Sequence, residues 1–199
     1  MTRMRFAFSK RKLCCFIPHV VLPQVFARAG IRAGIDFEYS EGFSPRPRIS
    51  IGPALPVGVI GLGELFDAEI RNWESSMLDK WNYFLPDGIS LVDCREADGP
   101  SLGKACTAAS YLLCVLKQIS LQEIMDSLNE QLPAGSIIAI GPDPGGPLIM
   151  IDLENPQQNS PGLFVKALVN SDIIGSWSEV RIIRTRLGFL EGSTVRTLM

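Results

Sequence analysis

The order in which two hydrophobic periodicities alternate along the chain is the feature that most constrains its fold. From Met4 to Lys10, apolar side chains occupy every second position, which predicts a half-buried strand with Phe6 and Phe8 on one face. The next apolar residues have the i, i+3, i+4 and i+7 spacing of one helical face: Leu22, Val25, Phe26 and Ala29. This helix is expected to begin near Val21 or Leu22, and Gly34 is placed to end it.

The same kind of pattern continues to residue 96. Strands are predicted over 49–51 and 64–70, a helix over 72–85 and a strand over 89–95. An ordered loop rich in proline, residues 37–48, separates the first helix from the second strand. Strand, helix, strand, strand, helix, strand is the order of the βαββαβ, or ferredoxin-like, unit.

The order then occurs a second time. A strand over 111–117, a helix with Ser120 as its N-cap, strands over 136–140 and 148–153, a short helix over 164–169 and a strand over 180–187 are predicted. The sequence therefore predicts an α+β protein of two tandem ferredoxin-like units with antiparallel sheets. The units cover 1–96 and 105–190, with a linker over 97–104 and a tail over 191–199, and the chain is expected to be loose from Gly188 onward.

Composition limits the classes of protein to which the chain can belong. Hydrophobic residues make up 46% and charged residues 20%, which is typical of globular proteins. No run of about 18 apolar residues predicts a membrane span, and no signal peptide is recognised, so a cytoplasmic location is expected. The five cysteines include an adjacent pair and no CxxC spacing, so they predict small core residues rather than disulfides or a metal site.

Positive charge is concentrated near the start of the chain. Residues 1–50 carry nine Lys and Arg against three Asp and Glu, whereas the remainder carries ten against eighteen. This asymmetry fits either a basic binding face or a solvated basic segment that pairs with the acidic remainder. The sequence leaves both interpretations open.

The candidate binding residues are arginines with aromatic residues near them. Guanidinium groups suit phosphates or carboxylates, and aromatic rings can stack on bases, so an anion or RNA site is predicted. Its candidate members are Arg28, Arg32, Tyr39, Phe43, Arg46 and Arg48. A second basic stripe is predicted on the last strand from Arg184 and Arg186. The alternative for the first group is an ordinary solvated face with the loop held by its prolines, and for the second it is neutralisation by acidic neighbours.

His19 is the only histidine and hence the only candidate for acid–base catalysis by an imidazole. It lacks a second histidine for a shared metal and a carboxylate nearby in sequence. A structural role, in which it caps the helix or bonds to the following loop, is the alternative. No Ser/His/Asp or Cys/His triad can be assembled around it.

Several motifs in one order resemble the DUF2344, or radical-SAM-linked, family over residues 5–69. They are Arg5-Phe-Ala-Phe-Ser-Lys10, Ile17-Pro-His19, Phe26-Ala-Arg28, Arg32-Ala-Gly34, Tyr39-Ser-Glu-Gly-Phe-Ser-Pro-Arg-Pro-Arg48, Ile49-Ser50, Ala54-Leu-Pro-Val-Gly58 and Glu64. Three positions depart from the family pattern: Val21 stands where an Asp is usual, Gln24 replaces a basic residue, and Ser44 replaces Asn. The missing carboxylate weakens any role for His19 that needs a His–Asp couple.

The resemblance implies a partner more than a reaction. It implies an accessory, non-catalytic protein that works with a radical SAM enzyme and presents its substrate. The iron–sulfur cluster and S-adenosylmethionine are then expected on the partner only, with no cofactor in this chain. Two alternatives remain open: an RNA-binding module, and an RNA-processing enzyme that uses His19. The sequence does not decide whether the chain forms homo-oligomers.

Overall fold

A computed structural model describes residues 2–199 as a mixed α+β molecule with one large, mostly antiparallel sheet. The ten strands are β1 Thr2–Lys10, β2 Asp36–Phe37, β3 Ile49–Ile51, β4 Ile60–Arg71, β5 Ile89–Glu96, β6 Ala108–Val115, β7 Ile137–Pro142, β8 Ile149–Glu154, β9 Val180–Glu191 and β10 Thr194–Thr197. The five helices are α1 Leu22–Arg32, α2 Met77–Phe84, α3 Leu102–Ala105, α4 Leu121–Gln131 and α5 Gly162–Asn170.

The strands lie in the order β5-β1-β4-β9-β6-β8-β7, with β2 and β3 also paired to β4 and β10 paired to β9. All pairings are antiparallel except that of β4 with β9, which is parallel at Ile60–Ile183 and Gly61–Arg184. The expectation of separate antiparallel sheets is therefore corrected: the strands form one continuous mixed sheet. The reason is that β4 begins at Ile60 rather than at residue 64, and this extension reaches β9.

Local signals located two helices well. Helix α1 begins at Leu22 with Pro23 in its first turn, and Gly34 follows its end with a φ of +82°. Helix α4 begins after Ser120, whose Oγ accepts a hydrogen bond of 3.1 Å from the backbone N–H of Glu123.

Other elements differ from prediction for identifiable reasons. Helix α2 begins at Met77 rather than at Asn72, because Asn72 has a left-handed backbone (φ +49°) that cannot start a helix. The predicted linker contains α3, and its Leu102 is buried. The chain beyond Gly188 is not loose, since β9 continues to Glu191 and β10 pairs with it. Strand β1 is buried on both faces, not one, because Arg5 forms a buried ion pair with Asp67.

Two clusters of buried side chains form the core. The first lies in the N-terminal half and is aromatic: the rings of Phe26 and Phe66 stack at 4.3 Å, and the Trp81 indole N–H donates to the carbonyl of Phe26 at 3.1 Å. The second lies mainly in the C-terminal half, where Tyr111 packs edge-on against Phe164. Burial of each such ring stabilises the fold by about 1.5–3 kcal/mol. The second cluster includes Leu65 of β4 and Leu187 of β9, so it joins the two halves of the sheet.

Candidate functional site

Residues 38–48 form a short hairpin, which we call the 38–48 hairpin. Tyr39 pairs with Pro47, and the backbone N–H of Ser40 donates to the carbonyl of Arg46 at 2.8 Å. The Ser40 hydroxyl accepts a further bond of 3.1 Å from the backbone N–H of Arg46. Gly42 turns the tip with a φ of +112°, and the neighbouring Phe43 side chain is fully exposed. The stem thus holds an aromatic tip and Arg46 in fixed positions.

Helix α1 and the 38–48 hairpin enclose a groove of about 530 Å³, which we call the basic groove. Arg28 reaches it from the helix and Arg46 from the hairpin. Neither guanidinium forms an ion pair with any residue in the described range 2–199. The residues lining the groove include no carboxylate. The groove therefore offers two uncompensated positive charges to an anion.

The other candidates of this region lie around the groove rather than in it. Arg48 forms an ion pair with Glu69 at 3.1 Å and lines a neighbouring depression. Arg32 is exposed at the last position of α1. Tyr39 is 44% exposed in the stem of the hairpin, and Phe43 is exposed at its tip. The structure thus brings Arg28 and Arg46 together and leaves the remaining four as neighbours.

Arg184 and Arg186 lie on β9 and do not form one exposed stripe. Arg186 is exposed, but Arg184 is fully buried, because its guanidinium lies against Glu64 and Pro53 where β9 pairs with β4. The Arg184 guanidinium makes a two-pronged ion pair with the Glu64 carboxylate and donates to the carbonyl of Pro53 at 2.8 Å. The predicted second basic stripe is corrected accordingly: Arg184 is part of the interior.

Arg184, Glu64 and Lys10 make up a buried charge cluster at the junction of the two halves. Lys10 donates to the carbonyl of Ile17 at 3.2 Å. Burial lowers the pKa of Lys10, and the Glu64 carboxylate opposes this shift. Burial also disfavours charge on Arg184, but Glu64 outweighs it and raises the pKa of Arg184, which stays protonated. The Glu64 carboxylate thus pairs directly with Arg184 and favours charge on Lys10 at longer range.

His19 lies in a short 3₁₀ turn just before α1, at the edge of this cluster. Its side chain is half-buried and does not line the basic groove. Burial lowers the pKa of His19, and the charges of Arg184 and Lys10 lower it further, against the opposing effect of Glu64. The imidazole is therefore neutral at pH 7, and its use in catalysis stays a prediction.

Tyr111 lies next to Arg184 across the β6–β9 pairing. Its buried hydroxyl has no hydrogen-bond partner among residues 2–199, and burial raises its pKa. Sequence reasoning missed Lys10, Glu64 and Tyr111 as interior polar groups. A signal existed for two of them, because Lys10 continues the inward positions of Phe6 and Phe8, and Glu64 those of Phe66.

The described residues offer little to hold a metal. No group of three or more His, Cys, Asp or Glu side chains within residues 2–199 is arranged as a metal site. All five cysteines are free, and burial raises the pKa of the Cys106 thiol to about 12, so it is inert at neutral pH.

Every helix in residues 2–199 is too short or too polar to cross a membrane.

The fold and the basic groove define an α+β protein with a surface suited to anions. The chain matches the family model DUF2344, described as "Uncharacterized protein conserved in bacteria", over residues 3–140. It therefore belongs to the DUF2344 family, as its motifs predicted. No match was found among curated protein sequences.

Several solved structures resemble the chain weakly. The archaeal box H/ACA sRNP Nop10-Cbf5 complex matches with 12% identity and a TM-score of 0.49, over 98% of this chain and 51% of that chain. A Cbf5-Nop10-Gar1 complex matches with 12% identity and a TM-score of 0.45, over 97% and 52%. An unknown protein from Galdieria sulphuraria matches with 12% identity and a TM-score of 0.29, over 96% and 99%. The chain spans about half the length of the first two, and similarities of this strength carry no functional conclusion.

Proposed function

We propose that this protein binds RNA in the basic groove and presents it to a partner enzyme. The observation that carries the proposal is the convergence of Arg28 and Arg46, from two separate elements, on a groove without carboxylates. Phosphate groups of a nucleic acid backbone satisfy such guanidinium pairs well, because each fork can donate two hydrogen bonds. The net charge of the whole chain is −2, so attraction of RNA depends on this local concentration of positive charge.

The aromatic tip of the 38–48 hairpin supports RNA rather than a small anion. Phe43 is fully exposed at the tip, so its ring is available to stack on a ligand. Single-stranded RNA has unstacked bases that stack on such rings at about 1–3 kcal/mol per base. Glu41, also exposed in the same tip, repels phosphate and favours a base over the backbone at that position.

The binding proposal is tested with a fluorescent single-stranded RNA and anisotropy at several salt concentrations. Arg28→Gln and Arg46→Gln are each expected to weaken binding several-fold and to reduce the slope of log K against log salt by about one. Arg95→Gln is the matched control, since Arg95 is exposed on the edge strand β5 and forms no ion pair within residues 2–199. Equal effects at all three arginines, or no binding at all, would contradict the proposal.

A radical SAM enzyme is the partner that the family resemblance implies. A second groove of about 530 Å³, at the junction of β4 and β9, offers a surface for a protein. Its rim carries large apolar side chains that are exposed to solvent: Phe16 at 60%, Val57 at 50% and Trp177 at 43%. Exposed apolar patches of this kind are typical of protein–protein contacts. We infer that the iron–sulfur cluster and S-adenosylmethionine belong to this partner. We also infer that the two proteins meet in the cytoplasm.

The partnership is tested by capture of the tagged protein from its native host. An iron–sulfur protein in stoichiometric amount is expected with the unaltered chain, and Phe16→Ser is expected to abolish its recovery. Tyr83→Ser is the control, because Tyr83 is 82% exposed on α2 and does not line the junction groove. Recovery of RNA alone, lost at high salt, would leave the binding function and overturn the partnership.

The strand order supports a finer description of the fold. In the N-terminal half the pairing order is β5-β1-β4 with β2 and β3, and in the C-terminal half it is β9-β6-β8-β7. We number the strands from one within each half and count β2 and β3 together as the second strand of the first half. Both halves then have the strand order 4-1-3-2 of a ferredoxin-like unit. We infer two such units, over 1–96 and 105–190, joined through 97–104 and sharing one sheet.

A further inference from the structure

The basic groove contains more than its two positive charges, and three of its nine lining residues are polar. Gln24, Arg28 and Ile31 follow one another at i, i+4 and i+7 on the face of α1 that lines the groove. Across from them, the 38–48 hairpin and the residue that follows it contribute Arg46, Pro47 and Ile49. Gln24 is thus the one uncharged polar side chain among the nine lining residues.

The rest of the lining is apolar and partly exposed. It consists of Val20, Pro23, Ala27, Ile31, Pro47 and Ile49. Val20 is 79% exposed and Ile31 is 53% exposed, so large apolar surfaces face solvent beside the two guanidinium groups. A phosphate needs only the guanidinium groups, so apolar walls indicate that the ligand also has an apolar body.

A nucleobase has the chemistry that this combination recognises. Its two faces are apolar and flat, its edge carries hydrogen-bond donors and acceptors, and its flanking phosphates are anionic. A glutamine amide offers one acceptor and two donors, which can bond a base edge through two contacts. The groove volume of about 530 Å³ lies within the range of sites for small ligands, about 300–1,000 Å³.

From this arrangement we propose that the basic groove holds one unstacked base of single-stranded RNA, with the Gln24 amide on the edge of the base. Arg28 and Arg46 hold the phosphates on either side, and Ile31 contributes the wall against one face of the base. This inference rests on the proposed RNA-binding function and adds to it the element of RNA that the groove selects. The binding is non-covalent, so no bond is formed or broken.

The test compares two labelled probes of equal charge: an octamer of adenosine nucleotides and an octamer of abasic ribose phosphates. The unaltered protein is expected to bind the adenosine probe about tenfold more tightly, since stacking and edge contacts are absent from the abasic probe. Gln24→Ala and Ile31→Ser are each expected to lower this ratio several-fold and to leave binding of the abasic probe unchanged. Both positions are exposed, and far-UV circular dichroism verifies that the variants fold.

Gln122→Ala is the control, because Gln122 is exposed on α4 and its amide only bonds Asp126, at 2.7 Å. Equal affinity for both probes, unaffected by Gln24→Ala, would overturn the base site and leave phosphate binding by Arg28 and Arg46 intact. Failure of both probes to bind would overturn the base site and the proposed function together. A last outcome combines this assay with the capture experiment. If neither probe binds and the Gln24→Ala variant no longer recovers the partner protein, the groove binds a protein instead of RNA.

Discussion

At the residue scale, Glu64 is the group on which the electrostatics of the interior depends. Its carboxylate pairs with Arg184 and acts at longer range on Lys10, and all three side chains are buried. A buried cation that loses its partner cannot regain water, so the loss costs far more than the pair contributes over an apolar replacement.

Glu64→Gln should therefore destabilise the fold strongly. We expect a loss of about 3–5 kcal/mol in the free energy of unfolding, because the substitution leaves the buried Arg184 without its counter-charge. Chemical denaturation measures this value. Glu69→Gln, which removes the partner of the partly exposed Arg48, should cost much less. Equal losses would show that Glu64 is not a buried counter-ion.

His19 should titrate below its ordinary value of 6.5, since burial and two cations disfavour its charged form. The chain has a single imidazole, and the NMR titration midpoint of its Cε1 proton measures the folded-state pKa directly. Because the unfolded chain then binds the proton more tightly, the free energy of unfolding should fall as pH drops below 6.5, and should level off below the folded pKa.

His19→Asn removes this contribution and is the comparison for stability. Its free energy of unfolding should depend less on pH between about 6.5 and the folded pKa than that of the unaltered chain. A midpoint at or above 6.5, or parallel pH profiles for the two proteins, would contradict the burial of His19 beside the cluster.

The residues of the site were visible in the sequence to different degrees. Arg28 and Arg46 stood out as candidates, but their meeting depends on the 38–48 hairpin, whose fold is set by Tyr39–Pro47 pairing rather than by a local pattern. Lys10 and Glu64 escaped notice because charged residues in strands are usually exposed. Only their three-dimensional neighbours make their burial tolerable.

At the element scale, strand β10 depends on a glycine opposite it. A Cβ added to Gly188 would lie 1.8 Å from the backbone oxygen of Arg196, well inside contact distance. Gly188→Ala should therefore separate β10 from β9 and expose Val195, which is buried in the unaltered chain. Hydrogen exchange of residues 194–197 should rise to that of an unpaired segment.

Gly141→Ala in β7 is the matched change for this test. Gly141 lies in a strand, has no positive φ and has nothing within 4 Å of an added Cβ. Hydrogen exchange of β10 should be unaffected by it. Retained protection of residues 194–197 in Gly188→Ala would show that the close approach of the two strands does not determine their pairing.

Elements were predictable where the signal was local. The N-cap hydrogen bond of Ser120 and the glycine after α1 depend on residues a few positions apart, and both were predicted correctly. The pairing of β4 with β9 joins residues far apart in sequence, so no periodicity within either strand indicates it. No pattern within the four residues of β10 indicates a strand either, because β10 forms by pairing with β9.

At the scale of the whole molecule, the continuous sheet should make the two halves unfold together. The Glu64–Arg184 pair and the β4–β9 pairing cross between them, so separation would expose buried charge on both sides. The Trp177→Phe variant leaves Trp73 and Trp81 to report on the N-terminal half. Its fluorescence and its far-UV circular dichroism should give the same denaturation midpoint, whereas separate midpoints would show independent units.

The ion pair between Glu64 and Arg184 also limits how early a chain under synthesis can complete its interior. The two residues are 120 positions apart. Translation at about 5–20 residues per second therefore adds Arg184 roughly 6–24 seconds after Glu64. Until then the first half cannot close its interior around Lys10 and Glu64. The final segment of the polypeptide thus completes the centre of the molecule, and a product released before residue 184 lacks the counter-ion of Glu64.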